Sequence, residues 1–386
     1  MNFDGLMHAY GAATDTAGHL AALTGDDTAA REAALGHLWS AIIHQGTPWT
    51  ATPPAALEVA ALIGDPRITD PELRADLLKF LAAVAEAARS VSDDDLAAMA
   101  APPGLDVDAV LAQGDDEDIW EDVAITDALY ARAVLGCREI VPTLLAAAIA
   151  ALADPAPPVR AAAAHAIGAC GGGDASGLEA AHLEGAHSEA AHSEGAHLEA
   201  AHLDDLARAA GPDERAALVL AIGAIGRAPR RYLDDPHPGV RACAALAPAL
   251  AGDPRATDEL LAALTDPAAT DDWFTQRPPQ LHSRIRFALI GALIDRVGDP
   301  DRLLPAALAI APIATAHTVD SDWGPLLRAL FRGYTGGPLT TAQRRYLTAL
   351  TENANLWNPT HGNASLLYHE VGLPYDRDEC RTLASA

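Results

Sequence analysis

Two short segments carry the residue types best suited to recognition: His44-Gln45-Gly46-Thr47-Pro48-Trp49, and Trp357-Asn358-Pro359-Thr360-His361-Gly362-Asn363 near the other end of the chain. A loop-borne indole offers a large rigid contact area at low entropic cost, and neighbouring imidazole or carboxamide groups add directional hydrogen bonds. His44, Trp49, Trp357, His361 and Asn363 therefore form the candidate partner-binding set. The competing expectation, and the preferred one, is that Trp49 and Trp357 turn inward and plug the ends of a helical array.

Glycine-rich phosphate loops, His-Glu-x-x-His, Gly-x-Ser-x-Gly and clustered Cys/His spacings are all missing, so no catalytic residue, cofactor or metal site is expected. A five-residue repeat places His at 182, 187, 192, 197 and 202 and Glu three residues before each. Five residues advance an α-helix by about 500°, so successive histidines step about 140° around it and build no linear metal ladder. Residues 90–131 hold twelve carboxylates and no Lys or Arg, yet the calcium-loop positions for Gly and Glu are unfilled. Trp120 with Asp118 and Asp122 is a tight grouping of Trp and carboxylate.

Charge narrows the partners. With 26 basic and 53 acidic side chains the formal charge is −27, which opposes phosphate binding, so neither nucleic acid nor an anionic membrane is expected. A protein partner meeting the acidic stretch 93–122 should be basic, although a merely solvated acidic loop is the plainer account of it. The cysteines, Cys137, Cys170, Cys243 and Cys380, are far apart and read as small buried hydrophobes in a reducing compartment. The start of the chain lacks a basic, apolar leader, and apolar stretches such as 140–153 look too short to span a bilayer, so a cytoplasmic location is expected.

The elements that must position these residues are helices. Alanine accounts for 88 residues, it costs no side-chain entropy in a helix, and it lets helices approach closely. A recurring opening appears at 154–168, DPAPPVRAAAAHAIG, and at 235–250, DPHPGVRACAALAPAL. Each has Asp-Pro, a second proline, Val-Arg and an alanine-rich stripe, with the prolines pre-setting the first helical turn. Weaker copies surround Arg31, Arg74, Arg215 and Arg286. The steps Arg31 to Arg74 (43 residues) and Arg241 to Arg286 (45) match a two-helix repeat of roughly 40 to 47 residues, while other steps are irregular.

This Asp-Pro-x-Pro-x-Val-Arg-x-x-Ala-Ala pattern resembles the second half of HEAT and HEAT-like repeats, in particular bacterial HEAT-like proteins with no assigned activity. The resemblance covers most of residues 26–300. It implies an all-α fold, an α-solenoid in which helix pairs coil into a right-handed superhelix, generally used for protein–protein interaction. It also implies that Asp154, Arg160, Asp235 and Arg241 hold adjacent units together rather than catalyse. The expected organisation is a solenoid over 1–332, interrupted at 171–204 by the low-complexity His/Glu insertion, and a non-repeat helical cap over 333–386. In the cap, Asp376 with Glu379 suits the start of a last helix and Gly372 the end of the one before it.

The function expected on these grounds is a non-enzymatic interaction scaffold or adaptor with a protein partner. The alternatives are an enzyme on the same scaffold, similar to bilin lyases or to DNA glycosylases, or an immunity or antitoxin-type protein matched to a basic toxin.

Overall fold

The computed structural model describes residues 2–99, 101, 104–112, 122–171, 200–357 and 362–386. Trp120, His361, most of the His/Glu insertion and the acidic run 115–118 lie outside the described residues. The fold is all-α: the described strands are four two-residue pieces in two small hairpins. The chain divides into two compact units, Met1–Ile225 and Gly226–Ala386.

The first unit opens on hairpin β1 (Met7–His8) and β2 (Gly11–Ala12), followed by α1 (Thr16–Ala22) and α2 (Thr28–His37). Helix α2 runs on through a π-helical turn, Leu38–Ile42, into β3 (Ile43–His44) and β4 (Thr47–Pro48). Gln45 and Gly46, at φ 52° and 84°, form the two-residue turn between them, a left-handed pair that suits the twist of a hairpin. Then come α3 (Thr52–Leu62), α4 (Pro71–Ala87), α5 (Asp93–Ala98), α6 (Val107–Ala112), α7 (Val123–Ala151), α8 (Pro157–Gly171), a helix over 200–209 (α9) and α10 (Pro212–Ala224).

Local chemistry explains where these helices start. Proline stands at the first position of α4, α8 and α10, where its missing N–H would have no helical partner. Asp27, Asp70 and Asp122 accept hydrogen bonds from the first free amides of α2, α4 and α7. Helix α4 packs along α8 and α8 along α10, while α3 packs on both α4 and α7. Small residues set the spacing. A Cβ on Gly168 of α8 would sit 3.1 Å from the Ala224 methyl of α10, and one on Gly136 of α7 would meet Pro53 of α3 at 2.8 Å.

Helix α7 departs from expectation. Most of the apolar stretch 140–153 belongs to a 29-residue helix, Val123–Ala151, that by length and composition alone is long enough to cross a membrane, so the shortness argued from sequence does not hold. The helix takes in Arg132, Arg138 and Glu139, and it packs on α3, α4 and α8.

The second unit begins with a 3-10 turn, Arg230–Asp234, and continues with α11 (Pro238–Ala245), α12 (Pro254–Ala263), α13 (Pro267–Asp271), α14 (Ile285–Arg296), α15 (Pro300–Ile310), α16 (Trp323–Leu330), α17 (Thr341–Glu352), α18 (Gly362–Glu370) and α19 (Arg377–Ser385). Successive helices touch: α11 on α12, α12 on α14, α14 on α16, α15 on α16 and α17, α17 on α19. Gly372, at φ 75°, closes α18 in the left-handed conformation, and the Asp376 carboxylate accepts the amides of Asp378 and Glu379 to open α19. At the centre, the buried Arg286 guanidinium is clasped by Asp271 and by Asp322, whose carboxyl is pushed up by burial despite that partner.

Arginine ties the units internally. Arg160 of α8 donates Nε to Glu214 Oε1 of α10 (2.5 Å) and Nη2 to Oε2 (2.9 Å), and its Nη1 reaches the carbonyls of Asp154 (2.8 Å) and Pro155 (2.9 Å). One turn back, Arg74 of α4 pairs with the Asp154 carboxylate at 2.8 Å. Arg241 repeats the arrangement in the second unit, through Asp235 O (3.0 Å) and Glu259 Oε1 (2.9 Å). Lysine, a point donor on a flexible stem, cannot fill this fork. Arg160→Lys should therefore lower the unfolding free energy by about 2 kcal/mol, the order of a lost charged hydrogen bond in a half-buried setting, whereas Arg67→Lys at the surface should change it little; urea denaturation of both variants checks this.

Candidate functional site

The recognition residues named from sequence fall in both units. His44 ends β3, where its Nδ1 lies 2.9 Å from Ser40 O and its ring meets that of Tyr10 edge to face at 5.8 Å. Trp49 follows β4, half-buried, and its backbone N–H donates to Thr52 Oγ1. Trp357 and Asn363 belong to the second unit. Trp357 Nε1 donates to Leu350 O (3.0 Å), and its ring packs at 5.1 Å from Tyr368 and 5.6 Å from Tyr375. Asn363 is exposed and donates to Asp320 Oδ2 at 2.8 Å. The structure thus joins His44 and Trp49 through one hairpin, and ties Trp357 into an aromatic cluster.

Around the His44 hairpin stands a group that sequence reasoning missed. His8 of β1, Asp15 before α1, and His37 at the end of α2 converge, with His19 stacked on His37 at 4.2 Å between ring centroids. His8 Nε2 lies 3.1 Å from Asp15 Oδ1, and the Tyr10 amide donates to His8 Nδ1 at 3.1 Å, so the His8 proton sits on Nε2 and is donated to Asp15. His37 Nε2 is 3.0 Å from the hydroxyl of the fully buried Thr16, leaving Nδ1 turned to Asp15 Oδ2 at 4.0 Å.

Electrostatics follows from burial. Desolvation, helped by the neighbouring His19 and opposed by Asp15, pushes His37 down to about 4, so it is a neutral imidazole at pH 7. Partial burial raises Asp15, but the His8 hydrogen bond and the two imidazoles outweigh it, and the carboxyl stays below its usual range. No spacing in the sequence announces this group, because 8, 15 and 37 match neither a helical face nor a known ligand pattern. The one signal available was the crowding of His8, His19, His37 and His44 into the first 44 residues.

Elsewhere in the first unit an open cleft of about 620 Å³ lies beside Asp154, Arg160, His202 and Glu214. Its charged groups already bind one another, as described for Arg160 and Glu214. The thiols of Cys137 and Cys380 are pushed up to about 12 by burial, and Cys243 is driven up further by the same cause. They are inert hydrophobes rather than nucleophiles. Half-buried Cys170 differs from them.

No family model and no curated protein matches the chain. Among solved structures it is similar to an engineered protein at 14% identity, covering 96% of this chain and 97% of that one, with a TM-score of 0.24. A similarity that low says nothing further about the fold.

Trp357→Ala should lower stability by about 3 kcal/mol, seen as a fall in Tm of several degrees, because it empties the aromatic cluster and frees the Leu350 carbonyl. An unchanged Tm would instead return Trp357 to the recognition set. A thiol reagent applied to the folded protein at pH 8 should modify at most Cys170, and all four cysteines only in denaturant, as read by mass spectrometry of the intact chain.

Proposed function

We propose that the chain is a non-enzymatic α-solenoid of HEAT-like helix pairs that serves as a scaffold or adaptor for a basic protein partner in the cytoplasm. The observation that carries this reading is the packing order. In the first unit α4, α8 and α10 stack in turn, and α3 and α7, which precede α4 and α8, lie against each other. That is how a repeat array buries its apolar stripes, each helix pair shielding its neighbour. The Arg74–Asp154 and Arg160–Glu214 links, each running to the next turn or helix along the stack, suit the structural role expected of the repeated Asp and Arg.

The binding chemistry follows from charge and exposure. An excess of 27 acidic side chains favours a cationic protein and opposes nucleic acid and anionic membranes. Apolar side chains stand exposed among this negative surface: Leu135 and Ile149 on α7, Tyr10 and Trp39 near the His44 hairpin. They would supply contact area once charge has drawn the partner in. The buried thiols of Cys137, Cys243 and Cys380, none of them in a disulfide, fit a reducing compartment.

The tagged full-length chain, used to capture proteins from native lysate at low and at high salt, tests the reading. A basic protein held at low salt and released at high salt is the expected result. Absence of any retained protein at both ionic strengths would defeat the scaffold assignment.

A further inference from the structure

We propose that His8, Asp15 and His37 bind one divalent first-row transition ion, held by two imidazoles and a carboxylate with its remaining positions open to water. The three side chains come from β1, the residue before α1 and the last residue of α2, so no local motif brings them together. One ligand atom from each lies within 4.8 Å of the other two. Ligands around a tetrahedral zinc stand about 3.3 Å apart, given bonds of roughly 2.0–2.1 Å. His8 Nε2 and Asp15 Oδ1 already have that spacing at 3.1 Å. His37 Nδ1, 4.0 Å from Asp15 Oδ2 and within the same 4.8 Å limit of the other ligand atoms, closes the set by side-chain shifts of up to about 1.5 Å.

The surroundings are those of a ligand site. Two imidazoles with one carboxylate is a donor set that suits zinc, iron or cobalt and leaves positions for water. The hydroxyl of the fully buried Thr16 lies 3.0 Å from His37 Nε2 and can accept its proton, which is the tautomer that frees the Nδ1 lone pair for an ion and the outer-shell support that metal-bound histidines commonly have. At His8 the cation replaces the proton on Nε2. That proton passes to Nδ1, and the Tyr10 amide exchanges its bond to the ring for one to water. This rearrangement costs a hydrogen bond and sets the affinity below that of a fully preorganised zinc site. The Asp15 side chain is 54% exposed, which gives the ion a path from solvent and leaves its open positions wet. Once bound, the ion staples the β1–β2 hairpin and the start of α1 to the end of α2.

Cobalt(II) titration of the full-length protein, followed by visible absorption and then zinc displacement, tests the site. The chain also carries the His182 to His202 repeat, so the decisive comparison is between wild type and Asp15→Asn, a change at a half-exposed side chain whose intact fold is checked by circular dichroism. Wild type should give the intense absorption of a four- or five-coordinate cobalt site that zinc abolishes. Asp15→Asn should weaken it at least about tenfold, and His37→Gln should do the same. His44→Ala should retain it. Zinc should raise the Tm of wild type and His44→Ala but not of Asp15→Asn. Equal cobalt spectra in wild type and Asp15→Asn would place the binding on other histidines and overturn the proposal, as would no intense absorption in wild type. If His37→Gln unfolds, the Asp15→Asn comparison alone decides.

Discussion

The guanidinium group gripping the carbonyls at a helix end is the interaction on which the rest of this structure depends. The last turn of every helix leaves carbonyl oxygens without amide partners, and alanine-rich helices ending inside a packed body have few side chains to cover them. Arginine does so repeatedly here. Arg138 reaches Ala88 O and Val91 O, Arg215 reaches Ala207 O and Ala210 O, Arg296 reaches Ala245 O, and Arg377 reaches Thr351 O and Glu352 O. Each such fork binds one helix end to the next element while satisfying polar groups that would otherwise be stranded. A composition of 25 arginines to one lysine suits this requirement, and Lys79 pairs with Asp76 a helical turn away.

Alanine is the complement of arginine in this design. Helices that meet through methyl groups and glycines lie close together, as α8 and α10 do at Gly168, and their packing energy comes from many small contacts rather than from aromatic plugs. Larger side chains gather where the pattern changes. In the second unit Trp323, Tyr346 and Tyr368 fill the space between α16, α17 and α18, with Tyr346 donating to Trp323 O at 2.9 Å, and Asn353 donating to Ala311 O and Ala314 O joins residues after 332 to those before it. The section expected as a terminal cap is therefore built into the same compact unit as the helices that precede it.

How much of this was legible beforehand varies by element. The starts of α8 and α11 were readable to the residue or nearly so, because proline and aspartate act within one turn of where they stand. The two small hairpins and the π-helical turn were not, since pairs of two-residue strands leave no periodicity to detect. The neighbours of Trp357, Tyr368 and Tyr375, lie 11 and 18 residues on and were not announced by any local spacing. That the apolar stretch 140–153 belongs mostly to a much longer helix was hidden for a related reason. Arg138 and Glu139 interrupt the apolar run in the sequence, yet both are carried without breaking the helix, Arg138 folding over to Asp93 and the carbonyls after α4.

The sequence by itself determined the all-α class and the helix starts, because these are set by backbone preference and by neighbours within four residues. Tertiary structure alone decided that Arg160 finds Glu214, 54 residues on, and Arg241 finds Glu259, only 18 on. It also decided that His8, Asp15 and His37 share one point in space. Such pairs depend on the length and path of intervening loops, and a loop's path is fixed by what its flanking helices pack against rather than by its own residues.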